Sequence, residues 1–282
     1  MAKRRAVLIG INKHQIPGAD LRGCVNDVRN IRRALTELFG FRSADIQELT
    51  DFKATKKNMQ AAIGGLVASG RAGDVLYLHY SGHGSNVPDK NGDEADFRDE
   101  ILCPTDLDWK DPLTDDWLRR AFNGLRAGVS LTVVMDCCHS GSNTRQIRPP
   151  DARVIERYLP SPWDIMAEES GRKLRGKPRA TVHKASRSAR QRSDVVIAAI
   201  GEVLITGCRD TQTSADAWLG GAYNGALTHS LAAALRGARG RLTNRELHAE
   251  TTRRLRSGRF SQVPQLEARK AALDRAFLSP AA

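Results

Sequence analysis

Two short stretches carry the groups that could do covalent chemistry. Leu131–Gly141 reads Leu-Thr-Val-Val-Met-Asp-Cys-Cys-His-Ser-Gly, an uncharged run that stops at an acid, two thiols, an imidazole and a glycine. Val75–Gly84 reads Val-Leu-Tyr-Leu-His-Tyr-Ser-Gly-His-Gly, a second apolar run that ends in Ser81, Gly82, His83 and Gly84. A cysteine attacks as the thiolate, so it needs a base or cation close by and partial exposure. Cys138 and His83 form such a pair: His83 takes the Cys138 proton and later protonates a leaving amine. The backbone N–H groups of Gly84 and Cys138 would hold the oxyanion of a tetrahedral intermediate. Glycine on both sides of His83 allows a tight turn and close approach of a substrate backbone.

The neighbouring groups read differently. Side-chain alternation turns Cys137 away from Cys138 and into the core. Cys137, Cys138 and His139 are adjacent and cannot converge on one tetrahedral metal ion. His79 and His83 are four apart, but on a strand rather than a helix, so His79 is structural. Cys24, Cys103 and Cys208, taken singly, read as small buried hydrophobes.

For the two stretches to meet, both must be neighbouring strands that end at the same edge of a sheet. The pattern around them supplies this. Arg5–Asn12 reads as a strand. Leu21, Val25, Val28, Ile31, Leu35 and Leu38 recur at helical steps and stop near Gly40. Ile46–Leu49 is a short strand, Lys57–Val67 a helix, and Gly73-Asp74 turns into the strand ending at His83. This βαβα rhythm predicts an α/β fold with a mostly parallel central sheet flanked by helices on both faces. Reactive groups at carboxyl strand ends fit the crevice of such a sheet. Ser85–Pro112 reads as a loop or small hairpin around Ile101-Leu102. Thr114 caps a helix through Leu125, with Asp115 and Asp116 in its first turn. Val195–Ile200 and Val203–Thr206 resume the strand pattern, a helix covers Ala226–Leu235, and Thr243-Asn-Arg-Glu246 is a capping box. A last edge element falls between Gln262 and Leu278.

The 282 residues suffice for one large α/β domain, and 40% apolar with 27% charged composition is ordinary for a globular chain. No apolar run reaches the roughly 20 residues of a bilayer span. Ala6–Ile11 leads into Gly10-Ile11-Asn12-Lys13, not a small-residue cleavage site, and reads as a first strand. Five cysteines, two of them adjacent, suit a reducing compartment, so a cytoplasmic location is expected. The formal charge of +12 is segregated. Residues 89–116 hold 11 Asp/Glu against 3 Lys/Arg, whereas 142–193 hold 13 Lys/Arg and five prolines. That second stretch predicts a basic, partly disordered linker with one docked patch at Tyr158–Met166. It divides the chain into a catalytic region (1–141), the linker (142–193) and a third region (194–282), one domain in all.

Tyr80-Ser-Gly-His-Gly84 and Asp136-Cys-Cys-His-Ser-Gly141 resemble the two catalytic motifs of metacaspases, caspase-fold peptidases of clan CD. Asn26-Asp27 and Cys208-Arg-Asp-Thr-Gln-Thr-Ser-Ala-Asp216 extend the match. The resemblance is strongest to the prokaryotic metacaspases or orthocaspases, and it implies a large-subunit-like region over 1–141, a small-subunit-like region over 194–282 and no long amino-terminal prodomain. The Gln-Ala-Cys-x-Gly signature of true caspases is absent. The resemblance implies a cysteine endopeptidase with His83 and Cys138 as its dyad. It also implies a specificity pocket built from Cys24, Asp27, Ser81 and Asp136. Two carboxylates beside the nucleophile suit a guanidinium or ammonium, so cleavage after Arg or Lys, not Asp, is expected.

The resemblance further implies protein or peptide substrates, a monomer, and candidate calcium ligands at Asp99, Asp115 and Asp116. Arg145 stands where a fourth acid is expected and would repel the ion, so no cofactor is expected and calcium independence is the prediction. An Arg/Lys-specific enzyme carrying Arg172, Lys173, Arg175, Lys177, Arg179, Lys184, Arg187, Arg190 and Arg192 in a mobile run could cut itself there. A rival reading is a catalytically silent caspase-like module that binds nucleic acid or an acidic partner through the basic linker, with steep salt dependence. Few interleaved aromatics and an intact dyad favour the enzyme.

Overall fold

The computed structural model describes residues 2–89, 97–139, 154–173, 203–209 and 212–281. The predicted division points at 141/142 and 193/194, the strand predicted at Val195–Ile200 and most of the basic run lie outside these residues.

Strands β1 (Arg4–Gly10), β2 (Ile46–Thr50), β3 (Val75–Ser81), β7 (Ser130–Asp136), β9 (Val203–Thr206) and β12 (Gln265–Ala268) form a six-stranded sheet in the order β12-β9-β7-β3-β1-β2. All neighbours are parallel except β12, which runs antiparallel to β9 at one edge. Every residue of β3 and of β7 is buried. That is why both read as continuous apolar runs: a central parallel strand is covered on both faces. Their register pairs Ser81 with Asp136, so the two motif-bearing ends lie side by side.

Helices α2 (Lys56–Ser69) and α3 (Asp115–Phe122) cover one face, packing Met59, Ile63 and Phe122 on Leu78, Leu131 and Val133. Helices α1 (Cys24–Leu38) and α5 (Ala226–Gly237) cover the other through Val28, Ile31, Leu227 and Leu231. Thr114 caps α3 by accepting the Trp117 N–H, and Thr243 and Glu246 form the predicted capping box of α6 (Asn244–Ser257). Such caps are worth about 1 kcal/mol each.

Ser85–Pro112 folds back as β4 (Gly84–Pro88) and β5 (Arg98–Leu102), joined by β6 (Leu113–Thr114) in a three-stranded antiparallel sheet. A third sheet places β10 (Ala215–Leu219) between β11 (Ala222–Gly225) and β8 (Val154–Glu156).

Strand β8 corrects the reading of its stretch as spacer. The docked part begins at Val154, four residues before the predicted patch, and runs into α4 (Pro162–Lys173). Local sequence explains the helix: Ser161 Oγ accepts the Asp164 N–H, the Asp164 carboxylate accepts the Ser161 N–H, and Pro162 takes the first helical position. Tertiary pairing explains the strand, because Glu156, Ile155 and Val154 lie against Ala215, Asp216 and Ala217. Among the described residues no helix is long and apolar enough to cross a membrane.

Candidate active site

The crevice lies beyond the carboxyl ends of β1, β3 and β7, closed on one side by β10 and the start of α5. Asp27 enters it from the buried face of α1, which also carries Cys24, Val28 and Ile31. Asp136 enters from the last position of β7 and Ser81 from the last position of β3. A third carboxylate, Asp216 on β10, completes the wall and is fully buried.

Each acid is held by donors. Asp27 accepts from the Ser81 hydroxyl (2.7 Å) and from the Gly225 N–H (2.9 Å). Asp136 accepts from Ser214 Oγ (2.6 Å), Thr228 Oγ1 (2.7 Å) and Thr228 N–H (2.9 Å). Asp216 accepts from the N–H groups of Arg22 (2.8 Å) and Gly23 (3.2 Å).

The hollow is filled by the chain's own Arg157, the largest fully buried side chain among the described residues. Its Nη2 donates to Asp27 at 2.7 Å and to Asp216 at 3.1 Å. Its Nη1 donates to Ser81 Oγ at 2.8 Å and lies 3.2 Å from Asp136. Burial works against the guanidinium charge, but Asp136, Cys24, Asp27 and Asp216 outweigh it and hold Arg157 firmly protonated. Burial also pushes Asp27 up to about 7, with the guanidinium pulling the other way and Asp136 adding repulsion. One positive charge shared by three buried carboxylates leaves the hollow net negative. Removing one partner of a buried charge network costs about 3–5 kcal/mol.

The backbone of the same residue crosses the catalytic motifs. The Arg157 carbonyl oxygen accepts from Gly84 N–H (3.1 Å) and Cys138 N–H (3.2 Å), and its own N–H donates to the Ser214 carbonyl (2.9 Å). The chain then follows β4. Leu159 N–H donates to the Gly84 carbonyl (3.0 Å), and Ser85 Oγ donates to the Leu159 carbonyl (2.6 Å). Tyr158 donates its hydroxyl to Asp164 (2.6 Å) and accepts from Asn86 (3.1 Å). A Cβ at position 84 would strike the Cys138 carbonyl, so glycine keeps the two N–H donors together.

His83 and Cys138 both border this segment, but among the described residues no hydrogen bond joins them. His83 Nε2 pairs with the Ala19 carbonyl at 2.9 Å and its Nδ1 has no partner. Cys138 Sγ accepts from the Ser214 N–H and lies 3.4 Å from Cys208 Sγ. Direct passage of the Cys138 proton to His83, expected from sequence, is therefore not arranged here: the Arg157 backbone occupies the crevice they border. Burial, reinforced by His14 alongside, lowers His83 to about 3, against the pull of the Ala19 and Arg157 backbones. Burial likewise pushes the Cys138 thiol well up, so it is protonated while the segment is in place. The Tyr80 hydroxyl fixes the loop by donating to the His83 carbonyl at 2.6 Å.

Among the residues predicted for the pocket, Asp27, Ser81 and Asp136 all touch Arg157, and buried Cys24 lies beside it. Cys137 packs in the core and His79 stacks on Tyr77, as expected of structural residues. Of the calcium candidates, Asp99 lies in β5, Asp115 and Asp116 open α3, and Asp116 pairs with Arg119 and Arg120. Arg145 and Gly141 lie outside the described residues. Among the described residues no group of three or more His, Cys, Asp and Glu is arranged to hold a metal ion. Sequence reasoning missed Asp216, Ser214 and Arg157; the run ending at Asp216 was noticed as a motif, but no pocket role was attached to it.

The profile of the family described as metacaspase, peptidase C14 domain, matches residues 4–145. Metacaspase-1 of Pyricularia oryzae is 33% identical over 94% of this chain and 71% of its own length. Metacaspase-1A of Aspergillus fumigatus is 35% identical over 83% of this chain, which spans 61% of that relative. Protein GSU0716 from Geobacter sulfurreducens superposes with a TM-score of 0.69 and 26% identity, covering 99% of this chain and all of that one. Caspase-1 from Spodoptera frugiperda shares the fold, with a TM-score of 0.55 at 13% identity over 95% of this chain and 86% of its own.

Proposed function

The chain belongs to the metacaspase family, and on that footing we propose that it is a cysteine endopeptidase that cleaves after arginine, and that its own Arg157–Tyr158 bond is its first substrate. The observation that carries this is the placement of Arg157: side chain among three carboxylates, carbonyl oxygen between the N–H groups of Gly84 and Cys138. A substrate poised for acyl transfer would lie in this way, with donors aimed at the oxygen that takes up negative charge.

In this reading Cys138 is the nucleophile. Once the two side chains come together, its thiol proton passes to His83 as the sulfur adds to the arginyl carbonyl carbon, and the oxyanion forms against Gly84 N–H and Cys138 N–H. His83 on the neighbouring strand end protonates the departing amine. The C–N bond breaks, leaving a thioester on Cys138 that water hydrolyses. The buried, protonated thiol of the intact chain fits a latent form that reacts slowly with itself and admits no outside peptide.

The pocket favours arginine over lysine. The two terminal guanidinium nitrogens reach different carboxylates at once, whereas one ammonium cannot span them. Lysine is a slower substrate and aspartate none. Self-cleavage belongs at 157 rather than in the 172–192 run named from composition, because Arg157 is the basic residue seated in the pocket; Arg172 and Lys173 end α4, and the later ones lie outside the described residues.

Hydrolysis of fluorogenic peptides ending in Arg, Lys or Asp tests the assignment, with Cys138→Ala as control. Turnover ordered Arg over Lys over Asp, absent in Cys138→Ala, is expected. Preference for Asp, or full activity without Cys138, refutes it.

A further inference from the structure

Peptide cleavage needs one thiol at this crevice, and the fold brings two. Cys138 and Cys208 follow the carboxyl ends of β7 and β9, adjacent parallel strands whose register pairs Met135 with Thr206. Neighbouring strands lie about 4.8 Å apart, and just past their ends the two sulfurs are separated by 3.4 Å. A disulfide needs about 2.05 Å between sulfurs and a Cα separation near that of neighbouring strands. Closing the gap therefore asks for rotation of the two side chains, not movement of the sheet.

The surroundings single out this pair. Cys24 and Cys103 are fully buried elsewhere, and Cys137 turns into the core with its sulfur 3.6 Å from His139 Nε2. Cys208 is half-buried and its thiol donates to the Gln212 carbonyl at 3.1 Å, the one member of the five that is not fully enclosed. Cys138 Sγ is steadied from the other side by the Ser214 N–H.

We propose that Cys138 and Cys208 are a redox pair, forming a reversible disulfide that withdraws the peptidase nucleophile and shields it from irreversible oxidation. The oxidant is a hydroperoxide. The Cys208 thiolate attacks the peroxide oxygen, the O–O bond breaks, and a sulfenic acid forms with release of water or an alcohol. The Cys138 sulfur then attacks the Cys208 sulfur, the S–O bond breaks, the hydroxide leaves as water with the Cys138 proton, and the S–S bond forms. Two thiols give up two electrons and the peroxide takes both. A dithiol reductant reverses the step by exchange.

The effect on activity rests on Cys138 being the nucleophile; the bond itself does not, and the test separates the two. The purified protein, its chain cut at 157–158 so that outside peptides enter, is exposed to hydrogen peroxide, and its mass, peptide map and arginyl-peptide hydrolysis are followed before and after dithiothreitol. The expected product is about 2 Da lighter, contains a cross-linked peptide joining 138 to 208, and recovers its hydrolysis on reduction. In Cys208→Ser, the same exposure adds about 32 Da at Cys138, the mass of a sulfinic acid, and dithiothreitol restores nothing. Cys208→Ala serves equally if the serine variant is unstable. Absence of the 138–208 link, a link from Cys138 to another cysteine, or equal recovery in both variants overturns the proposal. A link formed in a chain without peptidase activity would leave the redox pair standing and remove the peptidase reading instead.

Discussion

The carbonyl oxygen of Arg157 accepts the backbone N–H of Cys138 at 3.2 Å, although 19 positions separate them in sequence and they follow strands of different sheets. The same oxygen accepts the Gly84 N–H, and the same residue's guanidinium is enclosed by Asp27, Asp136 and Asp216. Both ends of one arginine are thus satisfied by groups drawn from positions 27 to 216 of the chain.

Asp216→Asn should weaken binding of arginyl peptides. A charge-assisted hydrogen bond is worth roughly 1.5–3 kcal/mol, so KM should rise about 10–100-fold. The Arg-to-Lys preference should shrink as well, since lysine draws less on a third carboxylate. Steady-state kinetics on the two peptides checks this; an unchanged KM would remove Asp216 from the pocket.

The pH dependence follows from Asp27. Burial raises it from 3.8 to about 7, so near neutrality a proton competes with an arriving guanidinium. That value belongs to the hollow filled by Arg157; as pH rises the proton leaves, and kcat/KM for arginyl peptides should climb with it. His83, lowered to about 3 by burial, stays neutral throughout and adds no slope in the closed chain. The stability effect has the opposite sign: a raised folded-state value means that Asp27 favours the folded chain at low pH and that this contribution is lost as pH rises through about 7. Asp27→Asn should flatten the rise in kcat/KM; an unaltered profile assigns it to another group.

Arg157→Gln should leave the 157–158 bond intact and open the crevice. Without the guanidinium, β8 loses its anchor in the acidic hollow, and outside arginyl peptides gain entry to a chain that has not been cut. Turnover by the uncut variant is the expected result. Inactivity of a variant with native circular dichroism would mean that cleavage itself, not vacating the pocket, builds the active form.

Calcium should change the arginyl-peptide rate by less than about twofold, because Asp116 is already paired with arginines and, among the described residues, no group of three acids is arranged to hold a metal ion. A calcium titration of wild-type protein and of Asp115→Ala reads this directly. Strong activation lost in the variant would establish a calcium site.

The parts of this site carried by buried strands were legible in the sequence. Val75–Ser81 and Leu131–Asp136 are apolar without interruption because both faces are covered, and the motif residues necessarily fall at their ends. Asp27 was legible only through the motif resemblance, because helical spacing alone is equally consistent with a solvated carboxylate. Arg157 was not legible, because locally it is one of 13 basic residues in a proline-marked stretch. What buries it is three carboxylates from positions 27, 136 and 216, and no local pattern announces a partner set so far apart. Asp216 was hidden for a related reason: β10 is short, and its role depends on the strand that adds beside it.

The central claim is that Cys138 cuts the bond its own chain presents, and the masses of the purified protein's pieces measure it most directly. The wild-type chain should yield one piece ending at Arg157 and one beginning at Tyr158, while Cys138→Ala stays whole. A wild-type chain that hydrolyses arginyl peptides yet is cut only within 172–192, or one that is split at 157–158 whether or not Cys138 is present, would contradict the account.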